Sequence, residues 1–315
     1  MLTRVTSLML QRQMLVDVDR TRLRLARVQE QASTGLRINR PSDDPVGAGE
    51  AASLRGRLDA TVQMRRNLGQ ADVRLRATEA SLGEVNDILL RARELAIQGA
   101  NDTLDSAGRA QIAAEVEGLH ARLLSAGNAR AGGAYLFAGR ASDAAPFAAS
   151  GPFVGGSPAP TVAFLGDPSE VEVQIDESAR IASTLNGQRV FQGDGDGDGS
   201  PDAGKEDLFA VLGGLRDALL ANNRNAVAAA SDQLESGQGQ ISEELSRVGS
   251  RTARLEAQRA NLDRREEALT TRLSDVQDAD SIRVLSDLVR EQTALQASLE
   301  ATARVIQPSL LDFLR

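Results

Sequence analysis

The chain has 315 residues with a formal charge of -8, and it contains no cysteine, which excludes disulfides and thiolate metal centres. Aromatics are 3% and tryptophan is absent, so the rings that fill a large enzyme core are missing, and long packed helices of Leu, Val and Ala fit better. There is no apolar run of membrane-spanning length, the first fifteen residues lack the apolar centre of a cleavable signal, and the acidic balance argues against a nucleic-acid partner.

The first predicted helix carries a seam of Met14, Val18, Thr21, Leu25, Val28 and Ala32, spaced alternately four and three residues apart. Such spacing keeps one narrow stripe facing a neighbouring helix. Six arginines in the first 36 residues interleave with Asp17, Asp19 and Glu30, as expected of a solvated or subunit-facing flank. Gly35 is a natural left-handed stop, and Leu36 to Arg40 should run extended into Pro41. Ser42, Asp43 and Asp44 then offer acceptors for the first amides of a new helix, with Pro45 in its first turn.

In that second helix Leu54, Thr61, Leu68, Leu75, Leu82, Leu89 and Ala96 fall on strict sevens, with Ala71, Thr78, Val85 and Ala92 between the later ones. The pattern predicts one rod over residues 46 to 98, roughly 80 Å long at 1.5 Å per residue. A shorter helix should begin at Asp105 or Ser106 and present Ile112, Val116, Leu119, Leu123 and Ala126. Its flank carries the single histidine, His120, which as a lone imidazole reads as a packing or surface residue.

Residues 131 to about 207 break this style. Nearly all the aromatics gather around them, and Gly, Pro and Asp clusters separate short runs at Ala134 to Phe137, Thr161 to Leu165 and Val171 to Ile175. The alternation of the last run predicts a small antiparallel sheet with one wet face. Helix resumes at Asp207 and leads into a long seam: Ile241, Leu245, Val248, Thr252, Leu255, Leu262, Leu269, Leu273 and Val276. Asp278 to Asp280 break it before a last helix with the seam Leu285, Leu288, Gln292, Leu295, Leu299, Thr302 and Ile306.

The element order is palindromic. It predicts a mainly α chain with a small β insertion: an elongated bundle of paired terminal helices (1–40 with 280–315), a long-helix rod (41–130 with 207–279) and a β-rich outer domain (131–206). The terminal seams suit packing against copies of the same chain.

One string has metal-ligand spacing. Asp194, Asp196 and Asp198, followed by Gly199, resemble the start of a calcium loop, but its twelfth position is Lys205 and Glu206 arrives one residue late. A flexible acidic loop is the plainer reading. The Gly213-Gly214 pair follows no strand, and the serines lack a histidine base. No active site and no cofactor motif emerge.

Three strings carry a family resemblance. Gly35-Leu36-Arg37-Ile38-Asn39-Arg40-Pro41-Ser42-Asp43-Asp44-Pro45, after Ser33-Thr34, resembles the N-terminal signature of bacterial flagellins and hook-associated proteins. Its form is nearest the hook-associated protein 3 branch. Gly133-Ala134-Tyr135-Leu136-Phe137-Ala138-Gly139 is similar to that branch's start of the middle domain, and Pro308 to Arg315 resembles its C-terminal end. The resemblance implies a structural, non-enzymatic protein without cofactors, exported unfolded by the flagellar type III apparatus with a chaperone. It implies a secreted ring of copies between hook-associated protein 1 and flagellin, touching neither nucleic acid nor membrane. Two other readings stand beside it: a short filament flagellin, and a coiled-coil or calcium-responsive binding module.

Overall fold

The computed structural model describes residues 7–101, 104–154, 157–176 and 179–313, without the side chains of 7, 8, 10, 11 and 304–313. Six α-helices dominate: α1 (Ser7–Thr34), α2 (Pro45–Gly99), α3 (Ser106–Gly127), α4 (Leu208–Leu220), α5 (Arg224–Gln277) and α6 (Ser281–Phe313). They fall into two compact units, 1–61 with 264–315 and 62–263. Among the described residues no helix is long and apolar enough to cross a membrane.

In the first unit α1 packs on α6, with Val18 and Thr21 buried on one helix and Val284 on the other. The two linkers clasp each other. Leu36 bridges Asp278 in antiparallel fashion, the Arg37 amide donates to the Gln277 carbonyl at 2.7 Å, and the Ala279 amide donates to the Gly35 carbonyl at 2.9 Å. Gly35 stops α1 at φ 71, as its sequence position requires.

The second unit is a helical core around the heptad leucines. Leu68, Leu75, Leu82 and Leu89 of α2 are at most 2% exposed, and Val116 and Leu123 of α3, Leu212 and Leu215 of α4 and Ile241 and Val248 of α5 close over them. One end of this core is aromatic: Phe137, Phe147, Phe191 and Phe209 pack with ring centroids 5.0 to 5.8 Å apart. The middle region therefore contributes a plug to the core, in addition to surface loops.

Two expectations are corrected here. The predicted single sheet is three separate antiparallel pairs: β1 (Arg130–Ala131) with β2 (Ala134–Tyr135), β3 (Phe147–Ala149) with β4 (Val162–Phe164), and β5 (Glu172–Gln174) with β6 (Arg180–Ala182). A side chain meets the open edge of β3 at Phe147. Asn128 both donates to and accepts from the Phe147 backbone, at 2.9 and 3.0 Å, and Thr184 Oγ1 accepts from the Val171 amide. The second correction is a break between α4 and α5, where Asn222 takes φ 54. Asparagine tolerates this left-handed conformation, so Asn222-Asn223 was the sequence signal for a stop.

Candidate assembly surfaces

The first motif forms a compact corner. Asp43 turns back to accept from the Asn39 and Arg40 amides, leaving Asp44 alone to cap α2 through the Gly47 amide at 2.9 Å. That amide, with the Arg37 guanidinium at 3.2 Å, holds the Asp44 carboxyl below its usual range. Arg37 also reaches the Val276 carbonyl at 2.6 Å, tying the motif to the end of α5. A Cβ on Gly47 would meet Asp44 and the buried Ile38 within 2.7 Å, so glycine is needed there. Leu36 and Asn39 are half-buried, whereas Pro41, Ser42 and Pro45 face solvent. Ser42 makes no capping bond among the described residues.

The second motif also serves the fold. Tyr135 lies under the Arg130 guanidinium at 4.1 Å, and Phe137 is fully buried edge-on to Phe191. Gly139, at φ 59, lets the Asp167 carbonyl approach to 1.9 Å of where a Cβ would stand.

The terminal seams divide into two rows. Against each other α1 and α6 place Met14, Val18, Leu25 and Val28 on one side and Val284, Leu288 and Leu295 on the other, all buried or half-buried. Leu285 and Leu299 of the predicted stripe instead stand 59% and 43% exposed. They align with Ile282 and Val289 as an outer apolar row on α6, while Met9, Leu15, Val16 and Leu23 are exposed on α1. The Ile306 side chain lies outside the described residues. The residue that sequence reasoning missed is Val284, which stands one position before the predicted seam and forms its buried end.

The acidic loop folds on itself. Asp194 is 2% exposed and accepts from the Gly197 and Gly199 amides and the Gln188 side chain at 2.6 to 2.8 Å. Burial raises its carboxyl, but the Gly199 and Gly197 amides outweigh it and leave the group below the ordinary range. Asp194, Asp196 and Asp198 bring one oxygen each within 4.8 Å of one another. Lys205, in the position of the closing acid, is bound to Glu243 instead. The donor set thus opens like a calcium loop and closes with a cation.

His120 is buried between Phe153 and Phe209, with centroids at 5.0 and 5.8 Å, and its Nε2 has no hydrogen-bond partner among the described residues. Burial lowers its pKa. Beside it Arg216, 2% exposed, binds Glu117, Asp217 and the carbonyls of Ser157 and Val154. Nothing in the sequence marks Arg216, because its partners lie 59 to 99 positions away apart from Asp217.

Residues 5–142 match the bacterial flagellin N-terminal helical region and residues 230–314 the C-terminal helical region. The fold is therefore that of a flagellin-type chain, with family helices at both ends. Flagellar hook-associated protein 3 of Escherichia coli K12 is 30% identical over 292 residues, covering 86% of this chain and 87% of that one. Its Salmonella typhimurium counterpart is 27% identical over 94% of both chains. The crystal structure of flagellar hook associated protein-3 from Legionella pneumophila shares the fold, with a TM-score of 0.60 at 17% identity, over 71% of this chain and 98% of that one. The chain belongs to the flagellar hook-associated protein 3 family.

Proposed function

We propose that this chain is a structural subunit of the bacterial flagellum, placed at the hook-filament junction. It is secreted unfolded through the flagellar type III apparatus with a chaperone, and it has no enzymatic activity. Copies form a ring between hook-associated protein 1 and the first flagellins, with 1–40 and 280–315 turned inward and 131–206 outward. The observation that carries this reading is the outer apolar row Ile282, Leu285, Val289 and Leu299, left uncovered after α1 and α6 have paired. An exposed row of that kind on a family member is supported best by a second partner, and copies of the same chain supply one.

Deleting the gene tests the placement. Hooks should persist, filaments should vanish, and flagellin should accumulate in the medium; filaments of normal length on the deletion strain would refute it. The second reading, a short filament flagellin, is favoured by the flagellin models matching both ends. It requires the purified chain to elongate by itself into long tubes under the electron microscope.

A further inference from the structure

A groove of about 610 Å³ runs along the outer face of α2, where Arg66, Gly69, Val73 and Arg74 meet the Gly132 turn between β1 and β2. Val73 is 59% exposed within it. A Cβ on Gly69 would touch nothing within 4 Å, so the subunit's own packing does not require glycine there, although glycine costs a helix about 1 kcal/mol. The groove is also cationic. Arg66 and Arg74 have no ion pair among the described residues, whereas nearby Arg76 is held by Asp72 and Glu256. Arg130, in the adjoining β1, lies over Tyr135 and has no carboxylate partner among the described residues.

The same chain carries the complement. Asp196, Asp198 and Asp202 are exposed, and each accepts from a backbone amide and has no ion pair among the described residues. Glycines 195, 197 and 199 alternate with these acids, so the segment is slender enough to enter a groove. Among the described residues no hydrogen bond or ion pair joins the loop to its own groove. The loop is anchored beside α5, where the Glu206 amide meets Gln240, and α5 at Gly237 faces Leu89.

We propose that the acidic loop of one copy seats in the arginine groove of the next. The two surfaces are unlike, so the contact is heterologous, and it closes into a ring when its rotation closes. Carboxylates meeting unpaired guanidinium groups fix the register of that contact. The inference rests on the reading above that copies assemble at the flagellum.

The absence of cysteine provides a direct test. Val73→Cys and Ser200→Cys are introduced singly and together into the full chain, expressed in the deletion strain, and oxidised in isolated flagella. The double variant should give a ladder of cross-linked copies on a non-reducing gel, and each single variant only monomer. A double variant present in flagella without a ladder overturns the loop contact while leaving the junction reading intact. Wild-type chain absent from isolated flagella overturns the junction reading and the contact with it. Independently, Arg66→Glu with Arg74→Glu should reduce filaments per cell at least tenfold, and adding Asp196→Lys with Asp198→Lys should restore them. No reduction, or no recovery, also overturns the contact.

Discussion

On the proposed reading, the outer row on α6 serves assembly while the inner row serves folding. Leu285 and Val289 are 59% and 62% exposed, so the monomer buries only about two fifths of each. Full burial of such a side chain is worth about 1.5 to 3 kcal/mol, so replacing either by aspartate removes about 1 kcal/mol from the folded monomer. If a neighbouring copy covers the rest, the interface loses about 1 to 2 kcal/mol of apolar burial per site and must also desolvate a carboxylate. For Leu285→Asp with Val289→Asp together the loss is about 4 kcal/mol or more, a thousandfold in association. The control is Val284→Asp, whose position is 7% exposed within the subunit. Thermal melts followed by circular dichroism should show the double variant within a few degrees of wild type and Val284→Asp well below it. The double variant, expressed in the deletion strain, should appear in the medium while cells carry hooks without filaments. Normal swimming by the double variant, or a melt as low as that of Val284→Asp, would refute the division of the two rows.

The remaining expectations concern the second unit. His120, buried neutral with its pKa lowered by burial, gives stability that is complete above its unfolded value and is lost as pH falls through that value toward the folded one. Between pH 7.5 and 5.5 this amounts to at most about 1.4 kcal/mol. Urea midpoints should fall in wild type and fall less in His120→Phe, and parallel slopes would dismiss the histidine as the cause. Asp105 accepts from the Gly108 amide at 2.8 Å as the cap of α3, so Asp105→Ala should cost about 0.5 to 2 kcal/mol by urea denaturation, whereas Ser106→Ala should be nearly neutral. The acidic loop is already folded by its own amides and closes on Lys205, so calorimetry with calcium should reveal no tight binding linked to folding. A micromolar site that raises the melting temperature would revive the calcium-responsive alternative.

The rods were legible because their periodicity and their burial have one cause. Each heptad position from Leu54 to Ala96 is buried, and the stops at Gly35 and before Asp105 follow from glycine's left-handed freedom and carboxylate capping. The middle was legible as strand and turn but not as topology. Whether three short runs share one sheet depends on what meets their edges, and here Asn128 does so for β3 from outside the strands. Arg216 was invisible for a related reason: its worth comes from Glu117 and from carbonyls near position 155, which no local pattern brings together.

The terminal helices test how far a seam can be read at all. A period near 3.5 predicts that a stripe exists, but the stripe Leu285, Leu288, Leu295 and Leu299 is wider than one neighbouring helix covers. The fold assigns Val284, Leu288 and Leu295 to α1 and leaves Leu285 and Leu299 outside. A helix serving only as a hairpin partner needs few apolar residues on that second row, since leucine left more than half exposed adds little to the monomer. Apolar residues on both rows fit the proposed reading, in which α6 pairs first within the chain and then with a later partner. The row left open by the first pairing is the place to look for the second.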